Sequence, residues 1–235
     1  MKAIIVDDER LARKELQSLL TKYPHVEVIG EYDNAEDAIN EIESQKPDIV
    51  FLDIHMPGKD GFAVLEELIY VPQVIFVTAY DEYAIKAFEV NALDYLLKPI
   101  QQERLDDAIN KLSTQLNKPK PTEKLTEDDQ VFVKDGEKCW FVKLHDVPMF
   151  ESEGNYVRVY FKGNKPLILK SLNNLADKLD ENVFFRANRK FIINLNWIED
   201  VESWFNGGLM VKLKTGDKVE ISRRQATKLK EMKSL

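Results

Sequence analysis

Ile49-Val50-Phe51-Leu52-Asp53-Ile54-His55-Met56-Pro57-Gly58 is the stretch on which the reading of this chain turns. Four apolar residues run straight into an acid and then a Pro-Gly turn. Unbroken apolarity, rather than alternation, suits a strand of a parallel sheet covered on both faces. Working outward, three more short apolar runs end in polar residues: Ala3–Val6 in Asp7-Asp8, Val74–Val77 in Thr78-Ala79, and Leu93–Leu97 in Lys98-Pro99. Val26–Ile29 has the composition of a fifth strand. Between the runs lie helical patterns. Leu11, Ala12, Leu16, Leu19 and Leu20 share one face, and Leu105, Ala108, Ile109, Leu112 and Leu116 share another. The strand–helix unit repeated five times predicts an α/β doubly wound, five-stranded parallel sheet.

In such a sheet, function sits at the carboxyl ends of the strands. Read there, the sequence brings Asp7, Asp8, Asp53, Thr78 and Lys98 to one edge. Three carboxylates at close range repel unless they share a cation, and hard oxygen ligands favour magnesium (Mg²⁺). Asp53 is then a carboxylate nucleophile for a phosphoryl group. The cation and Lys98 neutralise charge on the phosphoryl oxygens, and Thr78 supplies a hydroxyl donor. Each residue also has a plainer reading. Asp7 or Asp8 suits a helix N-cap, Asp53 a turn, Thr78 a backbone-bonded hydroxyl, Lys98 a solvated loop and Tyr95 a core position. The joint occurrence of all five favours the chemical site.

These motifs, with Asp94-Tyr95-Leu96-Leu97-Lys98-Pro99, resemble the receiver domain of two-component response regulators over about residues 1–117. The resemblance implies a flavodoxin-like fold in which Asp53 takes phosphate from a sensor histidine kinase. It implies Mg²⁺ held by Asp8, Asp53 and the backbone carbonyl of His55, with Asp7 acting through water. Thr78 and Tyr95 match the family's switch pair, in which hydroxyl and aromatic ring turn together. Residues 81–90, Leu93–Leu97 and Gln101–Leu116 are the surface expected to form a homodimer on activation.

After residue 117 the character changes. Asn117–Lys124 is polar and holds two prolines, so residues 118–126 read as a linker between a 1–117 domain and a 127–235 domain. Residues 1–118 carry 12 basic and 23 acidic side chains, a balance of −11, while the remainder balances at +3. That asymmetry suggests modules with different partners. Three hairpin signals follow: 131–133 with 140–142 around Asp135-Gly136, 157–161 with 167–169, and 209–213 with 219–221 around Gly216. Ser171–Leu179 has helical spacing, and Ser222 precedes a last helical stretch through Met232. The second half is therefore mostly β.

Basic and polar clusters stand at the edges of these elements: Asn155-Tyr156-Val157-Arg158, Arg186-Ala187-Asn188-Arg189-Lys190 and Ser222-Arg223-Arg224-Gln225. Arg pairs bidentately with guanine and Asn with adenine. Lys and Arg on phosphates supply the salt-dependent share of affinity. With Phe150-Glu151-Ser152, Gly154-Asn155-Tyr156, Phe184–Asn194 and Ser222-Arg223, these stretches resemble the LytTR family of DNA-binding domains over about 127–235. The resemblance implies double-stranded DNA at promoter repeats as partner. Base contacts then fall to Asn155 or Tyr156, Asn188 or Arg189, and Arg223, with Arg224 on phosphate. Arg186 has the alternative of a surface ion pair with Glu181, Arg189 that of a backbone donor and Lys190 that of a solvated side chain. Trp140, Trp197 and Trp204 have apolar neighbours and are expected in the core.

Other classes fit less well. Apolar residues are 44% of the chain, yet no run is long enough to span a bilayer. The acids at positions 7 and 8 do not suit a signal peptide. One cysteine, Cys139, excludes an internal disulfide framework, and three histidines distant from it do not make a zinc site. A cytoplasmic, non-enzymatic phosphorylation-controlled transcription regulator is the expectation. A phosphatase acting through an aspartyl phosphate is disfavoured, because His55 stands two residues after Asp53 where a second acid belongs. An adaptor whose β domain binds protein or RNA is the third reading.

Overall fold

Apolar runs that close on themselves need both faces covered, and the first half of the chain solves this by strand parity. The computed structural model describes residues 1–79, 92–115, 124–136 and 138–233. Strands β1 (Lys2–Val6), β2 (Glu27–Tyr32), β3 (Ile49–Leu52), β4 (Gln73–Thr78) and β5 (Asp94–Leu97) form one sheet in the order β2-β1-β3-β4-β5, all parallel. Alternate residues face opposite sides. Ala3, Ile5, Ile49, Phe51, Ile75, Val77 and Leu96 pack with α1 (Arg10–Leu20) and α4 (Gln102–Gln115). Ile4, Val6, Val50, Leu52, Val74, Phe76 and Tyr95 pack with α2 (Ala35–Gln45) and α3 (Gly61–Glu67). The strand expected at Val26–Ile29 runs instead from Glu27 to Tyr32. It is an edge strand paired only to β1, so its half-buried residues carry a weak apolar signal.

Local chemistry starts the helices. Asn34 accepts from the Asp37 amide to cap α2, and Asp60 accepts from the Ala63 amide to cap α3. Neither Asp7 nor Asp8 caps α1. That position belongs to Glu9, whose side chain makes no capping bond.

The described residues fall into two compact units. The first takes in residues up to 115 and also Gln130–Phe132 and Gly136–Phe141, from the hairpin β6 (Gln130–Asp135) and β7 (Lys138–Lys143). Phe132 and Phe141 join the core on the α2–α3 side of the parallel sheet. The ring of Phe132 lies 6.4 Å from Phe62 and 5.2 Å from Phe141, and the Gln130 amide donates to the Pro72 carbonyl at 3.0 Å.

The second unit holds an antiparallel five-stranded sheet, ordered β10-β9-β8-β12-β11, and a three-stranded sheet, β13-β14-β15. The strands are β8 (Met149–Glu153), β9 (Tyr156–Tyr160), β10 (Leu167–Ile168), β11 (Phe184–Arg186), β12 (Phe191–Asn194), β13 (Ile198–Ser203), β14 (Leu209–Leu213) and β15 (Lys218–Ile221). Met149, Phe185, Ile193, Val211, Leu213 and Ile221 close a core with Ala226 and Leu229 of the last helix, α6 (Arg223–Lys233). The short helix α5 (Leu172–Lys178) is capped by Ser171, which accepts from the Asn174 amide.

The expectation that the three tryptophans are core does not hold: Trp140 and Trp197 are only half-buried, and Trp204 lies further out. It is 38% exposed, and its edge-on neighbour Phe205 is 76% exposed. The cause is the turn that carries them. The Trp204 amide donates to the Gly208 carbonyl, and Gly207 takes a positive φ of 78°. Both rings thus belong to the turn after β13 rather than to a strand face.

Candidate functional site

Register sets the first site. Val6 pairs with Leu52, so the residues after them, Asp7 and Asp53, emerge side by side at the edge where the strand order reverses. The Asp53 amide donates to the Val6 carbonyl at 2.8 Å. Thr78 is the last residue of β4, and the Lys98 amide donates to its carbonyl, which brings the lysine across the same edge. The Lys98 ammonium lies 2.7 Å from Asp7 and 2.8 Å from Asp53. Asp7, Asp8 and Asp53 each offer a carboxylate oxygen within 4.8 Å of the others. The sequence-derived set Asp7, Asp8, Asp53, Thr78 and Lys98 is thus brought together.

Asp53 serves the turn as well as the site: one oxygen accepts the His55 amide at 3.1 Å and the other accepts Lys98. Asp7 likewise accepts the Glu9 amide. His55 is exposed and Tyr95 is buried among apolar groups on the α2–α3 side. Thr78 is fully buried, and its hydroxyl has no hydrogen-bond partner among the described residues. A buried hydroxyl without a partner is costly, so this one stands as a free donor at the strand end among the described residues.

Burial raises the Asp7 pKa, against the lowering effect of its bond to Lys98. Burial also opposes charge on Lys98, but the hydrogen bonds to Asp53 and Asp7 outweigh it and hold the lysine above its ordinary range. One ammonium thus faces two buried carboxylates, with Asp8 beside them. That donor set of hard oxygens with surplus negative charge suits a small divalent cation.

Two contributors escape the sequence reading. Arg13, one turn into α1, donates to the carbonyls of Asp7 (2.6 Å) and Asp8 (3.2 Å) and so braces the acidic loop. Its only sequence signal is a charge next to an apolar stripe. Gly61 passes so close to Asp53 that a Cβ there would stand 2.4 Å from the Asp53 carbonyl.

The second unit gathers basic groups differently. Arg186, Asn188, Arg189, Lys190, Lys218, Arg224 and Gln225 line an open recess of about 870 Å³. Asn188, Arg189 and Arg224 are therefore neighbours. Arg223 does not line this recess; it lies by the Gly207 turn, where a Cβ would stand 3.7 Å from the Arg223 Cγ. Asn155 and Tyr156 are exposed on the β8–β9 turn, outside the recess. Arg158 is held by Glu153 and by the Lys165 carbonyl. Glu181 pairs with Lys124 and Lys228 rather than with Arg186, and Lys190 pairs with Glu151 at 2.6 Å.

A parallel α/β unit with an acid-lysine edge, followed by a β-rich unit with a basic recess, is the combination expected of a regulator with a nucleic-acid-binding output. Residues 3–110 match the response regulator receiver domain and residues 137–234 the LytTR DNA-binding domain. The chain is 35% identical to the sensory transduction protein LytT of Enterococcus faecalis, over 98% of each chain. It is 32% identical to the transcriptional regulatory protein YpdB of Escherichia coli, over all of this chain and 99% of that one. A crystal structure of the response regulatory domain of mrkE from Klebsiella pneumoniae is similar over 48% of this chain and 96% of that one, at 38% identity and a TM-score of 0.45. The chain belongs to the response regulators that join a receiver domain to a LytTR DNA-binding domain. Among the described residues, no helix is long and apolar enough to cross a membrane.

Proposed function

We propose that Asp53 accepts one phosphoryl group from the phosphohistidine of a sensor histidine kinase, and that this modification drives dimerisation and sequence-specific binding to promoter DNA in the cytoplasm. The observation that carries the reading is the Lys98 ammonium shared between Asp7 and Asp53, with the buried hydroxyl of Thr78, which has no partner among the described residues, at the end of the neighbouring strand. An Asp53 oxygen attacks phosphorus, the P–N bond to the histidine breaks, and the imidazole keeps the electron pair and takes a proton. Lys98 stays charged through the exchange and faces the transferred oxygens. The Thr78 hydroxyl donates to one of them, and Tyr95, buried on the α2–α3 side, is the second half of the switch. Asp8, Asp53 and the His55 carbonyl would hold Mg²⁺, with Asp7 acting through water. When bound, the cation would supply the charge that offsets the carboxylates and the incoming oxygens. The chemistry ends on the protein's own side chain, which makes it a regulator rather than a turnover enzyme.

The activated dimer uses Leu93–Leu97 and α4 together with residues 81–90, which lie outside the described residues, as does most of the proposed linker, 118–126. Two output domains, from 127 onward, then sit on repeated half-sites at raised effective concentration. Arg189 and Arg224 enter from the recess, and Asn155, Tyr156 and Arg223 reach the duplex from outside it.

The test is direct. Incubation with a small-molecule phosphodonor and Mg²⁺ should add the mass of one phosphoryl group to the wild type and none to Asp53→Asn. Ultracentrifugation should show a dimer only for the modified protein, and selection from a random duplex library should return a repeated motif. Continuous release of phosphate from phosphomonoesters would favour a phosphatase instead, and a library that returns nothing would favour an adaptor.

A further inference from the structure

The loop that presents Arg189 is fastened from both sides. The Asn188 side-chain oxygen accepts two backbone amides, Lys190 at 2.7 Å and Phe191 at 3.0 Å. Its side-chain nitrogen donates to the Glu220 carbonyl on β15 at 2.6 Å. One amide therefore closes the turn and ties it to the neighbouring sheet. Arg186, the last residue of β11, approaches from beneath. Its Nε donates to the Asn188 carbonyl at 2.7 Å and one terminal nitrogen donates to the Arg189 carbonyl at 2.9 Å. Burial lowers the Arg186 pKa, and Glu181 is taken up by two lysines, so this guanidinium gives two of its nitrogens to backbone carbonyls, while the third is buried without a partner among the described residues. Lys190 is turned away to Glu151. That leaves Arg189, exposed, with a guanidinium that makes no hydrogen bond or ion pair among the described residues.

We infer that Asn188 and Arg186 are positioning residues that hold the 188–190 loop so that Arg189 alone projects from it, and that Asn188 does not itself read a base. This rests on the DNA-binding reading above. Reading adenine takes both ends of an asparagine amide, and in Asn188 both ends are already committed. An approach to the duplex that freed them would leave two loop amides and a carbonyl unpaired. A reader held in place loses less freedom on binding, and affinity rises for that reason rather than through an added contact.

The experiment uses the full chain and the duplex that the wild type selects from a random library. Asn188→Ala should weaken binding to that duplex about tenfold, the order expected from losing a hydrogen-bonded lock, with the preferred base at every position unchanged. Asn188→Asp keeps the acceptor for the two amides and should recover part of the loss. It also guards against an alanine variant that fails to fold. In an Arg189→Ala background, Asn188→Ala should cost less than about threefold, because a residue acting through Arg189 has little left to lose. Arg186→Lys should behave as Asn188→Ala does, since a single ammonium cannot span two carbonyls. Equal cost in both backgrounds, or a changed base preference in Asn188→Asp, overturns the inference while leaving DNA binding intact. A wild type that selects no duplex sinks the DNA-binding reading itself, and this role with it.

Discussion

Lys98 and Asp53 lie 45 positions apart in sequence, yet the lysine ammonium stands 2.8 Å from the aspartate carboxylate, with both groups largely withdrawn from water. The same ammonium holds Asp7 at 2.7 Å. Among the described residues, this ammonium is the group that offsets the charge of the two acids buried side by side. Removing it leaves uncompensated charge, which costs far more than the pair contributes when intact. Lys98→Met should therefore destabilise the chain by about 3 kcal/mol in urea unfolding at neutral pH without divalent cations. Adding Asp53→Asn should recover part of that loss. A Lys98→Met variant as stable as the wild type would show that the acids are relieved in another way.

Magnesium should raise the thermal midpoint, since a ligand that binds only the folded state stabilises it by about 2.7 kcal/mol at a hundredfold excess over its Kd. Asp8→Asn and Asp53→Asn should each reduce the effect, because each removes an oxygen from the cluster gathered within 4.8 Å. Calorimetric scans with and without Mg²⁺ check this. An undiminished shift in Asp8→Asn would exclude that residue as a ligand.

Gly61→Ala should destabilise the first unit by about 1–3 kcal/mol, the usual cost of overpacking, because its Cβ would meet the Asp53 carbonyl at 2.4 Å. The relief of that clash moves the backbone that carries the acid. The variant should also accept phosphoryl groups more slowly from a small-molecule donor, as measured by intact mass against time.

The second unit has its own pH signature. Burial raises the Glu151 pKa, but its bonds to Lys190 and Tyr160 outweigh this and hold it below the ordinary 4.5. A depressed folded pKa contributes stability that is fully present above the unfolded value and is lost as pH falls through the folded one. The stability gap between wild type and Glu151→Gln should therefore be constant near neutrality and close below about pH 4.5. Denaturant midpoints measured down the acid range test the sign. A gap that widens in acid would contradict it.

The receiver half was legible because its chemistry stands at strand ends. A residue that follows a buried strand has one place to go, so Asp7, Asp53, Thr78 and Lys98 could be set on a common edge before any distance was known. Arg13 was not legible: it acts through backbone carbonyls, and a donor to backbone leaves no partner residue type to notice. The output half was read less completely. Its hairpins are visible at their glycine turns, but β8, β11, β12 and β13 are not legible as strands. Trp204 reads as core because hydropathy does not record that its residue falls in a turn, outside the strand that precedes it.

Sequence by itself settled which side chains meet at the acidic edge of the parallel sheet, since parallel strands of apolar residues can bury both faces only by delivering their polar ends to one side. It also settled that a β-rich, net basic half follows. Only the tertiary structure decided the division of labour among Arg186, Asn188 and Arg189. Three neighbouring polar residues look alike in a string, and what separates them is whether their donors are already satisfied by backbone groups that folding brings near.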